Sequence, residues 1–238
     1  MASKEELAVL ALVVYEANVR PDNRPLLPAG WQELPDPLVP TDGFFYRVFR
    51  NTATNEVVIS YRGTDGPMGM LTTGDGSTNA AGFLGASSSQ FRQAAAVYAS
   101  VLRTHGVDAA GSNISFTGHS LGGGLASVMA VWFDRPATVF DPAPFQRTAE
   151  SAFAAIEVQA SLGTAAPRAL VDYIPGLHFA AREARVRGYF AVGEFLQHIR
   201  KDTNTVVSAD FRPAAVKSAA VAWQGHGGSM RHAAQLAA

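Results

Sequence analysis

The stretch Asn113-Ile114-Ser115-Phe116-Thr117-Gly118-His119-Ser120-Leu121-Gly122-Gly123 decides the reading of this chain. Its first five residues have the character of a short buried strand, and Leu121 to Phe133 is apolar or small throughout, as a packed helix is. A single serine therefore sits at the turn between them, with Gly118 and Gly122 two residues to either side. Glycines at those positions leave room for strained backbone and let strand and helix pack closely. The spacing predicts a Ser120 hydroxyl exposed above the edge of a sheet, which is the setting a nucleophile needs.

Outward from this turn, strands and helices alternate. Toward the N-terminus, Gln90 to His105 has helical periodicity, with Phe91, Ala94, Ala95 and Tyr98 on one face. Before it, Phe44 to Phe49 and Glu56 to Tyr61 flank the polar Asn51-Thr52-Ala53-Thr54-Asn55 and read as a hairpin. Pro21 to Pro40 carries six prolines and reads as an extended, stiff connection. At the start, Leu7, Leu10, Ala11 and Val14 fall on one helical face, and Ser3 with Glu6 has capping-box spacing. Toward the C-terminus come a strand at Ala137 to Phe140, helical material from Arg147 to about Leu162, and a less regular segment to Ala181. A strand at Val186 to Val192, the segment Ala214 to Trp223 and a last helix from about Ser229 complete the pattern. The expected fold class is α/β, a mostly parallel central sheet with helices on both faces, in one domain over residues 1–238.

Composition removes several functions. With 19 basic against 20 acidic residues there is no electrostatic footprint for nucleic acid. The absence of cysteine excludes disulfides, thiol chemistry and thiolate metal sites. His226 and His232 lack nearby carboxylates that would complete a metal site, and Gly122-Gly123-Gly124 has no lysine at phosphate-loop spacing, so neither a metal nor a nucleotide cofactor is expected. The apolar stretch Leu7 to Tyr15 is too short to span a bilayer and lacks a clear cleavage site, so a soluble chain is expected, cytoplasmic or exported by a signal-independent route.

Two motifs in order give the chain a resemblance to the class 3 lipases, the fungal-lipase-like branch of the α/β hydrolases. The strand Val57-Val58-Ile59-Ser60-Tyr61 running into Arg62-Gly63-Thr64 resembles that family's oxyanion-hole segment, and Gly118-His119-Ser120-Leu121-Gly122-Gly123 resembles its nucleophile elbow. Asp141-Pro142-Ala143-Pro144 lies where the family's next strand and loop would be. The resemblance implies the α/β-hydrolase fold and an ester or lipid substrate such as an acylglycerol or phospholipid, with transient contact at a lipid interface. It also places a lid at residues 66–89, a stretch rich in Gly, Ser and Thr with scattered Met68, Met70, Leu71, Phe83 and Leu84.

A serine hydroxyl needs a base to attack an acyl carbon near neutral pH. In hydrolases of this fold the acid and then the histidine follow the serine, which leaves His178, His198, His226 and His232. His226, between Gly225 and Gly227, is the favoured base, with His232 as the alternative. His119, beside the serine, is read as positional. The acid should lie just past a strand end. Glu194 meets that condition where the family usually has aspartate, and Asp202 and Asp172 remain alternatives. The oxyanion would be met by the backbone N–H of Leu121 and by Thr64, with Arg62 and Asp65 holding the turn. Two other readings stay open: an α/β domain that keeps the elbow but has lost catalysis, and an acyltransferase using the same serine.

Overall fold

The computed structural model describes residues 1–15, 26–35, 37–41, 43–63, 88–105 and 113–189. The expected lid, Thr64, Asp65, Glu194, His198, Asp202, His226, His232 and the C-terminal helix lie outside the described residues, except that Ser88 and Ser89 open a helix.

The first helix, α1 (Lys4–Val13), starts on the expected capping box, Ser3 Oγ accepting from the Glu6 N–H at 3.1 Å and a Glu6 carboxylate oxygen accepting from the Ser3 N–H at 2.8 Å. Replacing Ser3 with alanine should lower stability by about 1 kcal/mol, read as a shift in urea midpoint without a change in slope. The other Glu6 oxygen accepts from the Trp31 indole at 2.9 Å, tying α1 to the next element.

That element departs from expectation. Within the proline-rich connection, Trp31–Leu34 forms an edge strand, β1, antiparallel to β2 (Tyr46–Asn51). Only its two ends, Trp31 and Leu34, are buried, so it lacks the period-two alternation that marks a strand. The hairpin partner of β2 is β3 (Val57–Tyr61). After it come α2 (Ser88–Thr104), β4 (Ile114–His119), α3 (Leu121–Phe133) and β5 (Ala137–Phe140). The helical stretch that follows is broken: α4 (Gln146–Ala149) stops and α5 (Ala152–Leu162) restarts on Ser151, whose hydroxyl caps the Ala154 N–H. The segment read as irregular contains α6 (Arg168–Val171) and α7 (Pro175–Glu183), and β6 (Val186–Tyr189) ends the described chain.

Among the described residues six strands lie in sequence order, with antiparallel pairings from β1 to β3 and parallel pairings from β3 to β6. Right-handed crossovers between parallel strands taken in order put their helices on one face of the sheet. Accordingly Val57, Ile59 and Tyr61 pack with residues of α2 and α3, including Tyr98, Met129 and Trp132, on one side. On the other, Phe49, Val58 and Phe140 pack under Leu7, Leu10 and Ala11 of α1. Helices thus cover both faces, as expected. Along β4 the alternation is complete: Ile114 and Phe116 join the α2–α3 core, while Thr117 donates toward Leu7 O of α1 at 3.3 Å and to Thr138 O at 2.8 Å. No described helix is long and apolar enough to cross a membrane.

Candidate active site

Every parallel strand delivers its carboxyl end to the same edge of the sheet, and β4 lies between β3 and β5 there. At that edge the chain turns through Ser120 directly into α3. Ser120 has φ 57° and ψ −125°, a left-handed conformation for a non-glycine residue. Such backbone costs about 1–3 kcal/mol and persists only where its surroundings impose it. Here they do so on both sides. The Ser120 N–H donates to Phe140 O at 3.0 Å, and its carbonyl accepts from the N–H groups of Gly124 at 3.1 Å and Ala143 at 2.9 Å.

Ser120 occupies the N-cap of α3, where serine ordinarily bonds back to the first turn, yet its side chain makes no capping bond. Its hydroxyl is therefore not spent on the helix. Ser120 and Leu121 are half-buried, while Gly118, His119 and Gly122 beside them are buried. The first-turn N–H groups of a helix have no intrahelical acceptor, so the Leu121 N–H belongs to a set suited to meeting negative charge.

Backbone crosses backbone tightly here. A Cβ on Gly122 would overlap the Tyr61 carbonyl oxygen and lie 2.8 Å from the Arg62 carbonyl carbon, because β3 ends across the first turn of α3. Gly122→Ala should therefore cost about 3–5 kcal/mol, enough to remove most of the stability of an ordinary domain, and thermal denaturation of the variant would measure it. Tyr61 itself is fully buried; burial first, then the nearby phenols of Tyr46 and Tyr98, push its phenol well above the ordinary range, so it stays neutral and donates to Ala94 O at 3.1 Å.

Two candidates from the sequence, Asp172 and His178, lie in described segments and have local partners. Asp172 follows α6, is exposed, and accepts from Arg168 Nε at 3.0 Å, well before β6 begins. His178 lies in α7, where its Nδ1 accepts from the Ile174 N–H at 3.0 Å. The Arg62 guanidinium lies 4.5 Å from the centre of the Phe45 ring.

Sequence reasoning missed a polar group beside the elbow. His119, on the α1 face of β4, is buried, with Nε2 3.7 Å from Asp141 Oδ2 and Nδ1 3.4 Å from the Tyr15 hydroxyl. Asp141 is 3% exposed, directly follows β5, adopts φ 43°, and is held by its N–H donating to Tyr189 O at 2.7 Å. Its place at a strand end, at the head of the Asp-Pro-Ala-Pro loop, is the signal in the sequence that could have found it. Among the described residues no group of three or more histidines and carboxylates gathers as a metal site.

A strained serine thus stands at the carboxyl edge of a mostly parallel sheet. The chain belongs to the phospholipase-like family of Tle-like phospholipase domains, whose model matches residues 6–237. No curated protein matches it. The family makes it a lipid ester hydrolase in general terms, and the resemblance to lipases is shown at the level of a lipase-like family.

Proposed function

We propose that this chain is a phospholipase that cleaves acyl esters of phospholipids through an acyl-enzyme on Ser120. The observation that carries the reading is the strained Ser120 backbone at the sheet edge, with a side chain that makes no capping bond. In the proposed reaction His226 takes the Ser120 proton as Oγ bonds to the acyl carbon. The carbonyl oxygen becomes an oxyanion met by the Leu121 and Thr64 N–H groups. His226 then protonates the departing alcohol, and water, deprotonated in turn by His226, releases the fatty acid and restores Ser120.

The acid that orients His226 has two readings. Glu194 satisfies the sequence criterion, standing just past the expected strand. Asp141 is favoured by its burial at the end of β5, the strand next to the nucleophile.

Phospholipid is preferred over triacylglycerol or small esters because of the family match. The family is one of type VI secretion lipase effectors, and delivery by that route is the export we propose. The test is fatty-acid release from phosphatidylglycerol and phosphatidylethanolamine vesicles, beside p-nitrophenyl esters from butyrate to palmitate. Phospholipid turnover above that on every soluble ester supports the reading; a butyrate optimum without vesicle hydrolysis makes the chain a carboxylesterase. Stoichiometric labelling of Ser120 by a fluorophosphonate with no turnover of either would favour an acyltransferase, and no labelling a binding domain.

A further inference from the structure

We infer that Tyr15 is a positioning residue for acyl transfer, its hydroxyl fixing the backbone at the end of β3 against the nucleophile elbow. The inference rests on Ser120 acting as the nucleophile.

Tyr15 follows α1, and in the sequence it closes an apolar run as one more core residue. It is buried, but its hydroxyl does more than pack: Oη accepts from the Gly63 N–H at 2.8 Å. Gly63 stands two residues past β3, at the point where β4 has turned away into the elbow. A buried N–H there must find an acceptor outside the ladder. Tyr15 supplies it from the far side of the sheet. The same oxygen lies 3.4 Å from His119 Nδ1 and 3.5 Å from the His119 carbonyl, so one phenol touches the ends of both β3 and β4.

The fit is close on every side. A Cβ on Gly63 would stand 2.5 Å from the Tyr15 hydroxyl, 2.9 Å from His119 O and 3.2 Å from Ser120 Cβ. The peptide at Gly63 is thus clamped between α1 and the elbow, and the next N–H along the chain is that of Thr64, the second oxyanion donor of the proposed mechanism. Tyr15→Phe keeps the ring, including its edge contact with His119 at 6.2 Å between centroids, and removes the hydroxyl, and with it the acceptor for Gly63 and the long contacts to His119. The Gly63 N–H is then buried without a partner, and the peptide is released to turn.

Misplacing a donor by about 1 Å costs on the order of 100-fold in rate, and losing one oxyanion donor about 100- to 1,000-fold. We expect Tyr15→Phe to lower kcat on a p-nitrophenyl ester about 10- to 100-fold with KM changed less than about threefold. The decisive readout is the ratio of turnover on this ester to turnover on the matching thionoester, whose sulfur is a poor hydrogen-bond acceptor. A displaced oxyanion donor lowers the oxygen ester about tenfold more than the thionoester, whereas a loss of folded enzyme lowers both alike. An unchanged ratio overturns the role of Tyr15. Wild-type turnover that is lost in Ser120→Ala checks the nucleophile in the same assay, and its failure would sink the hydrolase reading separately. Should Tyr15→Phe not fold, hydrogen exchange of the Gly63 amide in the wild type decides: protection comparable to β3 supports the clamp, and exchange at the rate of an open loop overturns it.

Discussion

Ser120→Ala is expected to lower kcat on any hydrolysed ester by about 10⁵- to 10⁶-fold while leaving the fold intact. The size follows from the mechanism, since without Oγ no acyl-enzyme forms and only binding and oxyanion stabilisation remain. The preserved fold follows from the structure. Alanine keeps the Cβ that fits beside Gly63, and because the Ser120 side chain makes no capping bond the helix loses nothing by its removal. The φ of 57° gives a companion result. Ser120→Gly should be equally inactive yet more stable by about 1 kcal/mol, since glycine adopts that conformation without the side-chain penalty. Kinetics and thermal denaturation of the two variants together separate the chemical role of the serine from the strain it carries. Residual turnover above about one part in 10³ in Ser120→Ala would move the nucleophile elsewhere.

Asp141→Asn and Glu194→Gln, compared side by side, should differ by several orders of magnitude in kcat. An amide in place of the triad carboxylate holds the imidazole in the wrong tautomer, at a cost of about 10⁴-fold. On the Asp141 reading that loss falls on Asp141→Asn, and Glu194→Gln stays within a few-fold of wild type; on the Glu194 reading the pattern reverses. Asp141 also lies near His119 Nε2, so its amide variant needs a control for displaced elbow geometry. His119→Gln supplies one, since it removes the imidazole that Asp141 approaches and leaves the carboxylate in place. A loss in Asp141→Asn far exceeding that in His119→Gln assigns the larger part to the catalytic histidine. Equal losses make Asp141 a support of the elbow and return the acid to Glu194.

The turn at Ser120 was legible in sequence because its signals are local: an apolar strand, a serine between glycines and an apolar or small-residue helix lie within some twenty residues. The hairpin of β2 and β3, the capping box at Ser3 and the strand at Ala137–Phe140 were legible for the same reason. The strand β1 was not. It has four residues, is flanked by prolines, and owes its state to pairing with Arg50 and Phe49 rather than to its own pattern. The break between α4 and α5 was hidden because Glu150 and Ser151 fit a helical stretch until the cap at Ser151 is seen. Asp141 and Tyr15 were missed for a third reason. Each looks ordinary in its own segment, one a loop carboxylate and the other the end of an apolar helix, and gains meaning only where α1, β3, β4 and β5 converge on the sheet edge.

The burial of α1 has a consequence for biosynthesis. From Leu10 to Tyr15 all six residues are buried, yet the surface that receives them includes Val58 and Phe140. On a ribosome adding about 5–20 residues per second, this oily segment waits roughly 6–25 s for β5 to be made. Through that interval it is a natural target for a holding chaperone. The segment is thus made well before the surface that receives it, and Tyr15 reaches the neighbourhood of Ser120 only when that docking is complete.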